Sequence, residues 1–212
     1  MEILFLYTRI DQKNNMNSDF VGFHQTNRYV DFVQLLWLFN SPRETRDIIR
    51  LDLHEAGLLY KYASKVDKGN ILEIGRYWAG STVLLALATH SKDMTKVISI
   101  DCIEGCHDPD ADDWLNQYPW KNRLDIRVGN SHTMKNIPLE LLFVDGDHSY
   151  EGCKKDFDHH WNYVNGVCLC HDYTCPYAPG VTRCVDEYIE NGNAKIIEQV
   201  GTMVALHKLK NI

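Results

Sequence analysis

Asp145, Asp147 and His148 fall within four positions of one another in the stretch LLFVDGDHSYEG, residues 141–152. Two carboxylates and an imidazole at that spacing can hold a divalent cation or move a proton. The bland alternative is a polar loop capping the next helix, since Ser149 is a favoured N-cap residue and opens a helical-looking segment. Asp147 is assigned to that turn. A second polar group, His171 and Asp172, closes another apolar run in GVCLCHDY. Apolar runs of this length read as strands buried on both faces. Adjacent parallel strands would bring Asp145, His171 and Asp172 to one edge of a sheet. Hard oxygen ligands there suit Mg²⁺, which keeps several waters and needs few carboxylates.

A different turn precedes these. Glu73-Ile74-Gly75-Arg76-Tyr77-Trp78-Ala79-Gly80-Ser81 follows the short strand NILEIG and opens the helix GSTVLLALATHS, with Ser81 and Thr82 in its first turn. A dinucleotide fingerprint needs glycine at 75, 77 and 80, the middle one admitting a pyrophosphate. Tyr77 obstructs that approach and suits a ligand with a nucleoside and no phosphate, such as S-adenosylmethionine (SAM). Asp101 ends the next strand, KVISID, 26 residues after Gly75, where a carboxylate can take both ribose hydroxyls. Gly75 and Gly80 alone would fit ordinary turn geometry. With Asp101 on the following strand, they favour a nucleoside pocket.

These groups need a scaffold. From about residue 54 strand and helix signals alternate, through HEAGLLYKYASKV, the two strands above, RLDIRVGN, LLFVDGD, the helix YEGCKKDFDHHWNYV, GVCLCHDY and the helix GVTRCVDEYIENG. The end, AKIIEQVGTMVALHKL, reads as two strands joined by a tight turn at Gly201. The expectation is an α/β, Rossmann-like, mostly parallel seven-stranded sheet with helices on both faces and a C-terminal antiparallel hairpin. Residues 1–53, aromatic-rich, are read as a helical or partly irregular N-terminal cap, and 54–212 as the domain that carries these motifs.

The 212 residues suit one such domain with an appendage, and 44% hydrophobic content fills its core. Net charge is −7 with no run of Lys or Arg, which argues against a nucleic-acid partner. No stretch reaches transmembrane length and MEILFLYTRI lacks the pattern of a signal peptide. Seven scattered cysteines read as reduced thiols of a cytoplasmic protein.

With these motifs in hand, the chain resembles the class I SAM-dependent methyltransferases over roughly residues 54–209. Glu73, Gly75, Tyr77 and Ser81 are similar to the turn of catechol-type O-methyltransferases. LLFVDGDHSYEGCKKDFDHHW, GVCLCHDY and PGVTRCVDEY resemble the metal-dependent O-methyltransferases that modify sugars and antibiotics. The resemblance implies cofactor contacts from Glu73, Gly75, Tyr77, Gly80, Ser81, Asp101, Asn130 and Ser131. Asn130 stands where many relatives carry Asp, and either contacts the adenine amino group or only shapes a turn. It implies metal ligation by Asp145 and Asp172. The third ligand of the relatives is a carboxylate or amide beside the second Asp; here His171 is the neighbour, and it either ligates, favouring Mn²⁺, Fe²⁺ or Zn²⁺ over Mg²⁺, or hydrogen-bonds. His148 occupies the offset of the catechol-type lysine base, and an imidazole suits that duty near neutral pH. The function expected is SAM-dependent, divalent-metal-dependent O-methyl transfer to a small hydroxylated acceptor, a sugar or natural product. The alternatives are a metal-dependent hydrolase and a nucleoside binder without turnover, and a homo-oligomer stays open.

Three features invite over-reading. Cys168, Cys170, His171 and Cys175 match no common zinc spacing, and the cysteines are expected in the core. His159-His160 is expected on a helix surface. DPDADDW at 108–114 is expected to be a solvated loop or a border of the acceptor pocket, with Trp114 and Trp120 as walls.

Overall fold

The computed structural model describes residues 48–103, 115–116 and 123–209. The chain divides into two compact units, Met1–Arg50 and Leu51–Ile212. Most of the expected cap and all of 108–114, with Trp120, lie outside the described residues.

The second unit opens with helix α1, Leu53–Ala63. Asp52 caps it by accepting from the His54 and Glu55 amides, and Glu55 returns a carboxylate to the Asp52 amide, forming a capping box. Ala56, Leu58, Leu59 and Ala63 are its buried residues besides Glu55. Alternation then follows: β1 Lys68–Ile74, α2 Gly80–Ala88, β2 Met94–Asp101, β3 Leu124–Val128, β4 Leu139–Val144, α3 Tyr150–His160, β5 Val164–Cys170, α4 Pro179–Glu190, β6 Ala194–Val200 and β7 Met203–Lys208. The strands form one sheet in the order β3-β2-β1-β4-β5-β7-β6. β1 to β5 pair in parallel, and β7 runs antiparallel between β5 and β6. The expected sheet and closing hairpin are both present.

Strand alternation sorts the core. Leu72, Ile74, Ile98, Ile100, Leu142, Val144, Cys168 and Cys170 face α3 and α4 in one cluster with Phe157, Trp161, Val181 and Tyr188. Phe157 stacks on Trp161 at 5.6 Å, and Tyr188 meets both edge-on. Glu73 points to the other face, under α2. Burial raises the Cys168 thiol's pKa, and no group of three or more metal-capable side chains among the described residues includes a cysteine. Cys168 and Cys170 are core residues, as expected, and Cys175 is half-buried beside them.

The expectation for His159-His160 is corrected. His160 is 1% exposed, and its Nε2 donates to the Ser131 carbonyl at 3.2 Å. His159 Nε2 lies 2.9 Å from the Met134 carbonyl. The pair closes the end of α3 over the loop before β4, a tertiary contact that local periodicity does not encode. No described helix is long and apolar enough to cross a membrane.

Candidate active site

Strand order reverses between β1 and β4, because β2 and β3 lie on one side of β1 and the later strands on the other. In open parallel sheets that reversal leaves a crevice beyond the carboxyl ends of the strands. The chain makes it tight. Gly75 has φ +90, and a Cβ there would stand 2.0 Å from the carbonyl oxygen of Asp145. Only glycine lets the two strand ends approach this closely.

On the β1 side, the turn after Gly75 holds two non-glycine residues in the left-handed region, Tyr77 at φ 46 and Ala79 at φ 67. Such conformations cost of order 1–3 kcal/mol each and persist where surroundings over-determine them. Asp101 supplies part of that determination. Its Oδ2 accepts from the Arg76 and Tyr77 amides at 2.8 and 2.9 Å, and its Oδ1 accepts from Ile103 at 2.8 Å. Burial opposes the charge, but these bonds prevail and hold the carboxyl below its ordinary pKa. A carboxylate offers about four lone-pair positions, so roughly one remains, on Oδ1. That is less than the two-handed ribose grip expected from the sequence. Tyr77 is 41% exposed and stacks on Trp78.

Glu73 is 0% exposed. Ser81 Oγ and Thr82 Oγ1 each donate to its carboxylate at 2.5 Å. Burial raises its pKa against those hydroxyls. Glu73 thus braces the start of α2, and the Ser81 hydroxyl is spent on that brace. Arg76, 2% exposed, lies below the turn and donates to the Ser99 and Arg127 carbonyls. Gly80 is the first residue of α2. Asn130, at the end of β3, is exposed with no side-chain cap bond. Ser131 is buried and donates its hydroxyl to the buried Asp156.

On the β4 side, the sequence-expected residues come together. His148 Nε2 is 2.8 Å from Asp172 Oδ2 and 3.7 Å from Asp145 Oδ1. Asp145, His148 and Asp172 each offer a ligand atom within 4.8 Å of the others. Asp145 and then Asp172 push the His148 pKa up to about 10. Asp172 is itself in the left-handed region at φ 61, and its histidine partners hold its pKa low. Asp147 accepts from the Ser149 amide and Ser149 caps α3, the turn duty expected of both.

His171 is placed differently from a simple third ligand. It is buried, with Nδ1 3.2 Å from Asp145 and 3.3 Å from Asp172. Its Nε2 lies 3.2 Å from Glu55 Oε2. Burial lowers its pKa, but the three carboxylates outweigh that and push it up to about 12. Glu55 is lowered to about 2, burial being outweighed by hydrogen bonds from His171, Asp52 and Thr202. Sequence reasoning missed Glu55. Its D-x-x-E capping signal at 52–55 was legible, but its partner on the last hairpin was not.

The sheet order and the two half-sites define a class I methyltransferase fold. Residues 72–173 match the family model described as a methyltransferase domain. Solved structures share the fold. An O-methyltransferase from Bacillus cereus in complex with SAH is 16% identical at a TM-score of 0.59, covering 95% of this chain and 96% of that one. The O-methyltransferase TomG from Streptomyces achromogenes, involved in tomaymycin synthesis and solved with SAM, is 18% identical at 0.60, covering 78% and 83%. CalS11, a TDP-rhamnose 3′-O-methyltransferase of calicheamicin biosynthesis, is 14% identical at 0.58, covering 94% and 90%. No curated protein sequence matches the chain.

Proposed function

We propose that the protein transfers the methyl group of SAM to a hydroxyl of a small acceptor, a sugar or natural product, with a divalent cation at the β4–β5 edge. The carrying observation is the meeting of two half-sites where Gly75 touches Asp145. One half suits a nucleoside, the other a cation. The printed names of TomG and CalS11 support this class of acceptor.

The donor set fits Mg²⁺ or Mn²⁺: two carboxylates and an imidazole within 4.8 Å of one another. Asp145 and Asp172 would hold the ion, with His171 Nδ1, 3.2 and 3.3 Å from their carboxylates, beside them. A bound cation would lower the pKa of the acceptor hydroxyl. The chain's own residues do the rest. Asp101 keeps the turn closed and offers its remaining Oδ1 position to the ribose. Glu73 and Ser81 act through the start of α2, Tyr77 would close the pocket to a pyrophosphate, and Asn130 would contact the adenine, with Ser131 anchoring its turn. His148, 48% exposed, takes the acceptor proton. The free thiols of Cys102, Cys153, Cys168, Cys170, Cys175 and Cys184 support a cytoplasmic location.

Calorimetry with S-adenosylhomocysteine, NAD and Mn²⁺ tests the reading. S-adenosylhomocysteine and Mn²⁺ should bind and NAD should not. Chelator should stop transfer to sugar or phenolic acceptors, and Mn²⁺ should restore it. Asp145→Asn should lose the Mn²⁺ response and keep S-adenosylhomocysteine. Tight NAD binding without S-adenosylhomocysteine binding ends the reading, and full activity in chelator removes the cation from it.

A further inference from the structure

Glu55 is a buried carboxylate far in sequence from every motif that the proposed function uses. Oε1 accepts from the Thr202 amide at 2.8 Å and the Thr202 hydroxyl at 2.9 Å, and Oε2 accepts from the Asp52 amide at 3.0 Å. The remaining contact is His171 Nε2 at 3.2 Å. Four donors therefore converge on one carboxylate that is 5% exposed. Such a group cannot swing. Gly201 confirms the tight fit: a Cβ there would come within 2.6 Å of Glu55 Oε1.

A capping box needs only the Asp52 bond. The other three contacts do nothing for α1, but they fix the ring of His171. With Nε2–H committed to Glu55, Nδ1 is the atom presented to Asp145 and Asp172, at 3.2 and 3.3 Å. A histidine that ligates metal almost always donates its other ring N–H to a carboxylate, carbonyl or water, which fixes both tautomer and orientation.

We propose that Glu55 is a positioning residue for the cation site. It acts through His171, and Thr202 of the β6–β7 turn holds it in place. The inference rests on the cation reading above. The hydrogen-bond partners of Glu55 are Asp52, Thr202 and His171, none of them in the Gly75–Asp101 half-site, so its effect should appear in metal affinity and not in nucleoside affinity.

The test is Mn²⁺ and S-adenosylhomocysteine calorimetry on the full chain, in Glu55→Gln, His171→Asn and the double variant. Glutamine keeps an oxygen for Thr202 but turns an amide N–H, a second donor, toward Nε2. Mn²⁺ affinity should fall by about 10–100-fold, the usual range for such outer carboxylates. S-adenosylhomocysteine affinity should hold, and Glu55→Gln should add nothing in the His171→Asn background. If Glu55→Gln does not fold, Thr202→Val removes one donor from the same carboxylate. It should weaken Mn²⁺ several-fold, and only where His171 is present. Wild-type Mn²⁺ affinity in these variants, or equal losses with and without His171, overturns the proposal while leaving the cation reading intact. A wild-type chain that binds no Mn²⁺ overturns the cation reading and this proposal with it.

Discussion

With Nε2 2.8 Å from Asp172 and a pKa pushed up to about 10, His148 starts as a proton donor at neutral pH. It can accept the acceptor's proton once Asp145 and Asp172 are engaged otherwise, which is what a cation between them would do. On the proposed reading the base and the cation site would be coupled, and exchanging His148 separates them. His148→Ala should lower kcat by about 10²–10⁴-fold, the usual contribution of a general base. S-adenosylhomocysteine affinity should stay, because no described contact links His148 to the Gly75–Asp101 side. An unchanged kcat would leave the cation as the sole activator of the hydroxyl. Asp101 gives the complementary case. Asp101→Ala frees the amides of Arg76, Tyr77 and Ile103, so it should weaken S-adenosylhomocysteine while Mn²⁺ affinity persists.

The β1–turn–α2 element and the end of β4 meet at a close approach of Gly75 to Asp145, beside the Asp145 amide bond to the Ile74 carbonyl at 2.8 Å, so they should fail together. Gly75→Ala sets a methyl group 2.0 Å from the Asp145 carbonyl at φ +90. Overpacking in a tight site costs typically 1–3 kcal/mol. Both S-adenosylhomocysteine and Mn²⁺ affinity should drop, with a lower melting temperature; loss of one alone would show the half-sites to be independent. This lock was half legible in the sequence. Asp-Gly and Gly-rich signals marked both turns because chain reversal restricts which residues fit. That Gly75 faces Asp145 depends on sheet order, which no local pattern carries. The strands were legible for the same local reason, since apolar runs and alternation follow from the pleat. Glu55 was not, since its partners lie 116 and 147 positions away. Glu73 was found by motif, yet its work as an internal brace for Ser81 and Thr82 emerges only from packing.

Acid should unfold the molecule in two stages. Burial lowers the His160 pKa from 6.5 to about 4. The unfolded chain therefore binds this proton first, and stability present above pH 6.5 is lost as pH falls toward 4. Glu55, lowered from 4.5 to about 2, contributes stability that is full above 4.5 and lost as pH falls toward 2. Melting temperature measured against pH should therefore fall in both windows. His160→Gln, which can still donate to the Ser131 carbonyl, should flatten the upper window and leave the lower one. An unchanged slope between pH 6.5 and 4.5 would assign that loss to other groups.

The bond from Thr202 to Glu55 spans 147 positions, and β7 must slot between β5 and β6 before it can form. A ribosome delivers these partners at opposite ends of its work. While a chain is being made, α1 and the first parallel strands can already pair, yet Glu55 still lacks the threonine that holds it. On the reading given above, a nascent chain that has not yet reached Thr202 lacks the partner that fixes Glu55 and, through it, His171. A polypeptide broken off before Thr202 would also lack β7, whose Val204 and Leu206 are fully buried, so it should lose the sheet's closing hairpin together with the brace on Glu55.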